Sequence, residues 1–341
     1  MIVFLGLAIY ELFLLFLYNV AKTQNQKKWI YIFACLGMLL VVGLRSIRTG
    51  NDTIGYVDSF LGMRYLDWSD IQDEFNRDHG YHYFVKFISL FTNSPVIFLL
   101  ITAFASTIGI FDLIWRNSRS PVLSLYFYIT LGNFFFLLTG IRQAIAMSIC
   151  MLAVRFIQER KLGWFVLFVW LAAQMHHSAY IFIVMYFLGT RKVNIISMFT
   201  NIVVTVVAYF SYENLLELAN DILDYDYGVE ETGNGGIFFV ILLVINAFVL
   251  MSKASWVRGK HSLVILNSSI ICNILWVFRL ISRTAERPTM YWLNIVPVAL
   301  SESIESVYDR ETRLYIQIAA IVFTLAFFAY RCLGMTYAFG F

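Results

Sequence analysis

PVIFLLITAFASTIGIFDLIW occupies residues 95–115, and Asp112 is its only ionisable side chain. Coiled at 1.5 Å per residue, the stretch spans about 30 Å, the hydrocarbon thickness of a bilayer. A helix on the surface of a soluble protein keeps a polar stripe for water, and this one has none. Arg116 and Arg119 follow at once. The stretch predicts a helix that crosses a membrane and ends in a basic loop.

The same pattern recurs outward in both directions. Apolar stretches fall at about 2–20, 29–46, 121–139, 141–157, 162–176, 178–189, 193–211, 235–252, 262–281, 288–301 and 313–331. The pair 162–176 and 178–189 reads as one broken helix or two tilted ones. Composition agrees: 60% of the 341 residues are hydrophobic and 14% are charged, where soluble domains carry about 25% charged residues. Mean hydropathy is +0.72. The expected fold is all-α, a polytopic integral membrane bundle of about 10–12 transmembrane helices forming a single membrane domain over 1–341. The first stretch has neither a basic n-region nor a small-residue cleavage site, so it reads as a retained helix. Cys35, Cys150, Cys272 and Cys332 all lie in apolar stretches and match no metal spacing, which makes them core thiols. No internal repeat, Gly-rich phosphate loop, Ser/His/Asp arrangement or nucleic-acid signature is present.

Charge supplies direction. Lys22, Lys27 and Lys28, then Arg116 and Arg119, then Arg155, Arg160 and Lys161, then Arg191 and Lys192, then Lys253, Arg258 and Lys260, then Arg310 and Arg313 occupy alternate loops. By the positive-inside rule these face the cytoplasm. The N-terminus and two longer segments, about 47–94 and 212–234, then lie outside. The second holds Glu213, Glu217, Asp221, Asp224, Asp226, Glu230 and Glu231 and no Lys or Arg. The stretch Asp224-Tyr225-Asp226 resembles acidic pairs that hold a divalent cation in some glycosyltransferases, although a solvated acidic loop is the plainer reading.

Some basic residues break this rule. Arg45 and Arg48 end the second stretch, Arg142 sits between the fourth and fifth, and His176 and His177 sit at the break after the sixth. Arg279, Arg283 and Arg287 run from the tenth into the eleventh. All belong to the outer side, where ionisable groups at membrane depth are costly and mark function by default. A lone interfacial Arg is a snorkelling anchor, but six with two histidines point to one shared site. Guanidinium groups grip phosphate through a planar fork, and few carboxylates are near in sequence, Asp52 and Glu286 being the closest. An anionic ligand is expected, such as a lipid phosphate or pyrophosphate. The two histidines lack a third ligand at zinc spacing, so no metal site is assigned to them.

These residues carry a family resemblance. Arg48-Thr49-Gly50-Asn51-Asp52-Thr53 with Tyr56 resembles the R-x-G-x-D-T-x-x-Y element of the EpsG-like, Wzy-type polysaccharide polymerases. Gly140-Ile141-Arg142-Gln143, followed by Ala144 and Ala146, resembles their R-Q-x-x-A helix start. Met175-His176-His177-Ser178-Ala179 resembles F-H-x-S-A with Met in place of Phe, and Arg287 with Tyr291 resembles the late Arg…Tyr element. The elements cover about 45–295, and the opening region and last helix carry little of the signature.

The resemblance implies a C-type glycosyltransferase-like fold in a bacterial cytoplasmic membrane, with the site facing outward. It implies lipid-linked oligosaccharide donor and acceptor substrates on undecaprenyl pyrophosphate, a flippase and a chain-length regulator as partners alongside membrane lipids, and no cofactor or nucleic acid. It assigns His176, Arg142 and Asp52 to catalysis. Arg45, Arg48, Thr53, Tyr56, Gln143, His177, Arg279, Arg283, Arg287 and Tyr291 would bind substrate. In this scheme arginines stabilise the leaving pyrophosphate without a metal, and His176, or failing it Asp52, accepts the proton of the attacking hydroxyl. Asp52 reads equally well as a helix cap. Tyr56, Trp68, Tyr81 and Tyr83 are candidates for stacking on sugar rings or for plain packing. A lipid-linked sugar ligase would need the same residues. A polysaccharide or lipid-carrier transporter is disfavoured because only four prolines occur, mostly near helix ends. A membrane acyltransferase would show no polymer product.

Overall fold

The computed structural model describes residues 1–223 and 235–340, and among them the chain is helical with one isolated antiparallel bridge between Arg45 and Phe339. In chain order the α-helices are α1 (Ile2–Val20), α2 (Gln24–Gly43), α3 (Thr53–Met63), α4 (Ile71–Glu74), α5 (His79–Ser89), α6 (Pro95–Asn117), α7 (Pro121–Thr130), α8 (Asn133–Phe136), α9 (Ile141–Gln158) and α10 (Leu162–Met175). They continue as α11 (Met185–Leu188), α12 (Ile195–Phe210), α13 (Tyr212–Leu223), α14 (Gly235–Trp256), α15 (Gly259–Arg279), α16 (Glu286–Leu293), α17 (Val296–Glu305) and α18 (Arg310–Cys332). Short 3₁₀ helices cover His177–Val184 and Arg283–Ala285.

The protein is a multi-pass membrane bundle. Seven helices among the described residues are long and apolar enough to span a bilayer: α1, α2, α6, α9, α14, α15 and α18. An eighth span arises if α12 and the start of α13, bent by 80°, are taken together, and three shorter apolar helices cover Pro121–Thr130, Leu162–Met175 and His177–Leu188. Fewer helices therefore meet the full spanning length than the 10–12 expected, because several apolar stretches are broken. The stretch 121–139 breaks at Gly132, whose φ of +91° ends α7 and opens α8. The stretch 288–301 breaks before Pro297, which cannot donate to the Leu293 carbonyl four residues back. The Asn133 amide donates to that carbonyl instead, at 2.8 Å. The stretch 178–189 starts as an unusually long 3₁₀ run, a geometry rarely sustained beyond a turn or so.

The pieces α7 and α17 are not exposed to lipid, whereas the 178–189 piece shows Ile183, Val184 and Phe187 at the surface. Every residue of α7 is buried, and so is almost all of α17. Irregular backbone at membrane depth is tolerated only where protein covers its polar groups. Around this centre, α9 packs against α6 and α10, and α1 against α2. The periphery carries large exposed apolar side chains, including Ile9, Phe13 and Phe16 on α1 and Val203, Val207 and Phe210 on α12. In water such a surface would aggregate; in a bilayer it is the lipid face. Cys150, Cys272 and Cys332 are buried thiols, Cys35 is partly buried, and all four are free.

The segment 47–94, expected as an outer loop, contains α3, α4 and α5. The α3–α5 pair is pinned by Lys86, whose buried ammonium donates to the carbonyls of Met63, Arg64 and Leu66 at the C-terminus of α3, at 3.1, 3.2 and 2.5 Å. A cation suits a helix C-terminus, where the last carbonyls lack partners. Of the acidic segment 212–234, α13 is described, whereas Asp224, Asp226, Glu230 and Glu231 lie outside the described residues.

Candidate functional site

Adjacent helices in a bundle run in opposite directions, so the N-termini of α6, α9 and α14 and the C-termini of α2, α10, α15 and α18 gather at one end. A cavity of about 1200 Å³ opens there. Its walls include Asp52, Tyr56, Tyr81, His82, Arg142, Gln143, His176, Arg279, Arg283, Glu286, Arg287 and Arg331. Residues separated by more than 200 positions thus share one space.

Asp78 organises one wall of this cavity, and the sequence reading did not single it out. Its carboxylate is fully buried. Oδ2 accepts from Arg142 Nη1 at 3.0 Å and from His176 Nδ1 at 3.1 Å. Oδ1 accepts from the His177 backbone N–H and from His177 Nδ1, both at 3.0 Å. Burial alone would raise the Asp78 pKa; hydrogen bonds from His176 and His177 and the nearby Arg142 charge outweigh it and hold the carboxyl well below its usual range. Three positive or donor side chains from α9 and the α10 break converge on one anion.

Local structure explains how Asp78 reaches them. It precedes α5 in the left-handed region, at φ 56° and ψ 36°, and its side chain makes no capping bond to that helix. Aspartate tolerates this conformation better than most residues, and strain of this kind is kept where the surroundings hold it in place. The approach also needs Gly80: a Cβ there would lie 2.5 Å from Gln174 Cβ and 2.9 Å from Gln174 O. Glycine lets the start of α5 settle directly on the end of α10, two residues before His176. The left-handed turn aims the carboxylate away from its own helix and across that contact.

The geometry fixes a tautomer. A carboxylate only accepts hydrogen bonds, so His176 Nδ1 carries the proton and, in the neutral ring, the lone pair lies on Nε2. This is the arrangement in which a buried aspartate orients an imidazole for proton transfer. His82 also lines the cavity, stacked on Phe75 with ring centroids 3.6 Å apart. Burial, with the Arg142 and His79 charges adding to it and Asp78 opposing, lowers the His82 pKa to about 4. Its Nδ1 and the Tyr81 hydroxyl are buried without hydrogen-bond partners among the described residues.

The second wall is basic. Arg279 Nε pairs with Glu286 Oε2 at 2.8 Å. The Gln143 amide donates to the Arg287 carbonyl at 2.6 Å, which ties the start of α9 to the start of α16 and holds Arg287 at the rim. Arg283 comes from the 3₁₀ turn between α15 and α16.

Some residues expected at the site lie elsewhere. Arg45 is buried outside the cavity lining and donates to the Val42 carbonyl at 2.5 Å, with Nε and Nη2 unsatisfied among the described residues. Arg48 is exposed and does not line the cavity. The Thr53 hydroxyl serves the Thr49 and Leu138 carbonyls, at 2.7 and 3.1 Å. Tyr291 is buried and shares a 3.0 Å hydrogen bond with Ser178. Trp68 and Tyr83 stack on each other, centroids 6.0 Å apart, away from the cavity, whereas Tyr56 and Tyr81 line it. Asp52 is an exposed cavity residue that makes no cap bond to α3. Among the described residues no group of three or more His, Cys, Asp and Glu side chains is arranged to hold a metal ion.

A family model for EpsG matches residues 28–341. The chain belongs to the EpsG family. No curated protein and no solved structure matches it. Membership of the EpsG family supports a polysaccharide polymerase-like function of glycosyltransferase type. The match covers the whole cavity, including α18, where motif reading had found little.

Proposed function

We propose that this EpsG-family chain polymerises lipid-linked oligosaccharide repeat units, releasing undecaprenyl pyrophosphate at the outer face of the cytoplasmic membrane. The observation that carries the reading is the Asp78 hub, which sets a base and an arginine side by side in a cavity otherwise rich in arginine.

In this scheme Asp78 orients His176 so that Nε2 accepts the proton of the attacking sugar hydroxyl. The hydroxyl oxygen bonds to the donor's C1 as the C1–O bond to pyrophosphate breaks, and the leaving group departs as an anion. Arg142, Arg283 and Arg287 stabilise that charge with fixed donors that need no reorganisation. No step is routed through a metal. Asp52 and Tyr56, which also line the cavity, are left to orient sugar hydroxyls.

The test is purified protein incubated with a defined lipid-linked repeat and resolved as a product ladder. The wild type should give a ladder that persists in EDTA. Arg142→Ala should cut turnover by about 10²–10³-fold, the effect of deleting one oxyanion-type donor, with the protein still inserted. A normal ladder from Arg142→Ala would overturn the arginine role. A single transfer without further extension would favour the sugar ligase instead, and EDTA inhibition reversed by magnesium would reject metal independence.

A further inference from the structure

Arg331 lines the cavity, yet the mechanism above leaves it unused. It lies in the last turn of α18 and reaches inward. Nη1 donates to the Leu131 carbonyl at 3.3 Å, and the guanidinium lies 5.3 and 5.8 Å from the ring centroids of Phe135 and Phe327. The backbone beside it is shaped to receive it. Gly132 has φ +91°, and a Cβ there would collide with the Arg331 guanidinium. The turn that breaks the 121–139 stretch therefore also leaves the space that this side chain occupies.

Among the described residues the position has no counter-charge of its own. Glu286 is the carboxylate whose field reaches Arg331, but Glu286 is paired with Arg279 at 2.8 Å. Among the described residues no carboxylate lies within ion-pair distance of Arg331. Guanidinium has five N–H donors, and one long bond to a carbonyl uses one of them. Desolvating a cation against aromatic rings without an anion is costly unless a ligand supplies one. The neighbouring lining is apolar: Ile237, Phe238, Phe327 and Met335. A charged group beside an oily wall suits an amphipathic ligand with a phosphate head and a hydrocarbon tail.

We propose that Arg331 is an anion-binding arm of this cavity, contributed by the last helix and held in place by Gly132, that grips the phosphate of a lipid. The role deepens the polymerase reading and rests on it for the identity of the lipid, a pyrophosphate-linked carrier. A membrane phospholipid headgroup offers the same chemistry.

Binding of inorganic pyrophosphate to the full chain, purified in a phosphate-free detergent, separates these points by calorimetry. Arg331→Gln should weaken binding about tenfold, the effect of losing one charge-assisted contact, and Arg331→Lys should recover part of it. Gly132→Ala should mimic Arg331→Gln with the charge retained. Because Gly132→Ala also strains the turn, the Gln and Lys pair carries the test, with melting temperatures matched to wild type. Equal affinity in wild type and Arg331→Gln would overturn the arm. Competition by phosphatidylglycerol micelles that is lost in Arg331→Gln would support the arm and assign it to phospholipid. If pyrophosphate binding depends on Arg331 but no ladder forms from lipid-linked repeats, the polymerase reading falls and the arm stands.

Discussion

The two ends of the bundle treat their basic residues differently. At the end away from the cavity, several cations have dedicated partners. Arg119 binds Glu302 three ways: backbone N–H to Oε1 at 2.6 Å, Nε to Oε2 at 2.9 Å, and Nη2 to the carbonyl at 2.9 Å. Arg116 pairs with Asp112 at 2.7 Å and Lys161 with Glu159 at 2.7 Å, and Arg160 donates to the Tyr186 carbonyl at 2.8 Å. At the cavity end Asp78 is shared by Arg142, His176 and His177, and Arg279, Arg283, Arg287 and Arg331 line a space whose carboxylates among the described residues are Asp52 and Glu286. At one end these four cations are held by protein groups of their own. At the other, one buried carboxylate is shared among three donors.

The largest effect should come from breaking the shared anion. Asp78→Asn keeps the shape but replaces an acceptor by an amide whose NH₂ faces the His and Arg donors. Turnover should fall by roughly 10³–10⁴-fold, as expected when an orienting carboxylate is lost from an imidazole base. The loss should appear in kcat, with KM for the lipid-linked repeat little changed. A buried network that loses one partner also loses stability, by about 3–5 kcal/mol, so turnover must be read per folded molecule. A variant that stays folded with near-normal kcat would remove Asp78 from the site.

Acid should undo the cavity end first. His82 is held neutral, its pKa lowered to about 4 from about 6.5 in an unfolded chain. A lowered folded value means that the unfolded state binds the proton more readily. The stability is complete above pH 6.5 and is lost as pH falls through about 4, on the order of 3 kcal/mol over that window. Asp78 has the same sign but acts lower, since its contribution fades only below the ordinary carboxylate range. Melting in detergent from pH 7 to pH 4.5 should therefore show a steady decline that His82→Phe, which keeps the stack on Phe75, flattens. A parallel slope in that variant would place the acid sensitivity elsewhere.

Much of this organisation is legible in the sequence, and the parts that are not share a cause. Apolar length and alternating basic loops give a helical membrane bundle, and the arginines that defy that alternation, Arg142, Arg279, Arg283 and Arg287, do meet in one cavity with His176. Periodicity shows which side of the bundle a residue is on but says little about backbone geometry. Asp78 stands among Asp67, Asp70, Asp73 and Glu74, and nothing in pattern separates it from a solvated acid. What separates it is a left-handed turn and the contact made possible by Gly80. Asp52 attracted attention through its motif but stays exposed. Arg331 closes the final apolar stretch like any snorkelling cation, and its orientation depends on a turn at Gly132, 199 positions away. The same turn explains why an apolar run of spanning length does not form one continuous helix.

The smallest effect should come from the end away from the cavity, and it is the control for the comparison. Arg119→Ala removes a cation whose side chain is half exposed while Glu302 is only 11% exposed. Solvent screens such a pair, so its Coulombic part is worth little, and most of the loss comes from leaving the Glu302 carboxylate and carbonyl with fewer donors. The expected destabilisation is about 1 kcal/mol, with ladder length and rate unchanged. Adding salt should weaken the wild type toward the variant at this end, because the charges there are partnered and reachable by ions. The Asp78 cluster, whose carboxylate is fully buried, should be insensitive to the same salt. If Arg119→Ala instead reduced turnover as Asp78→Asn does, the two ends would be coupled through α7 and α17, and the shared carboxylate would act on the whole bundle rather than on the cavity end.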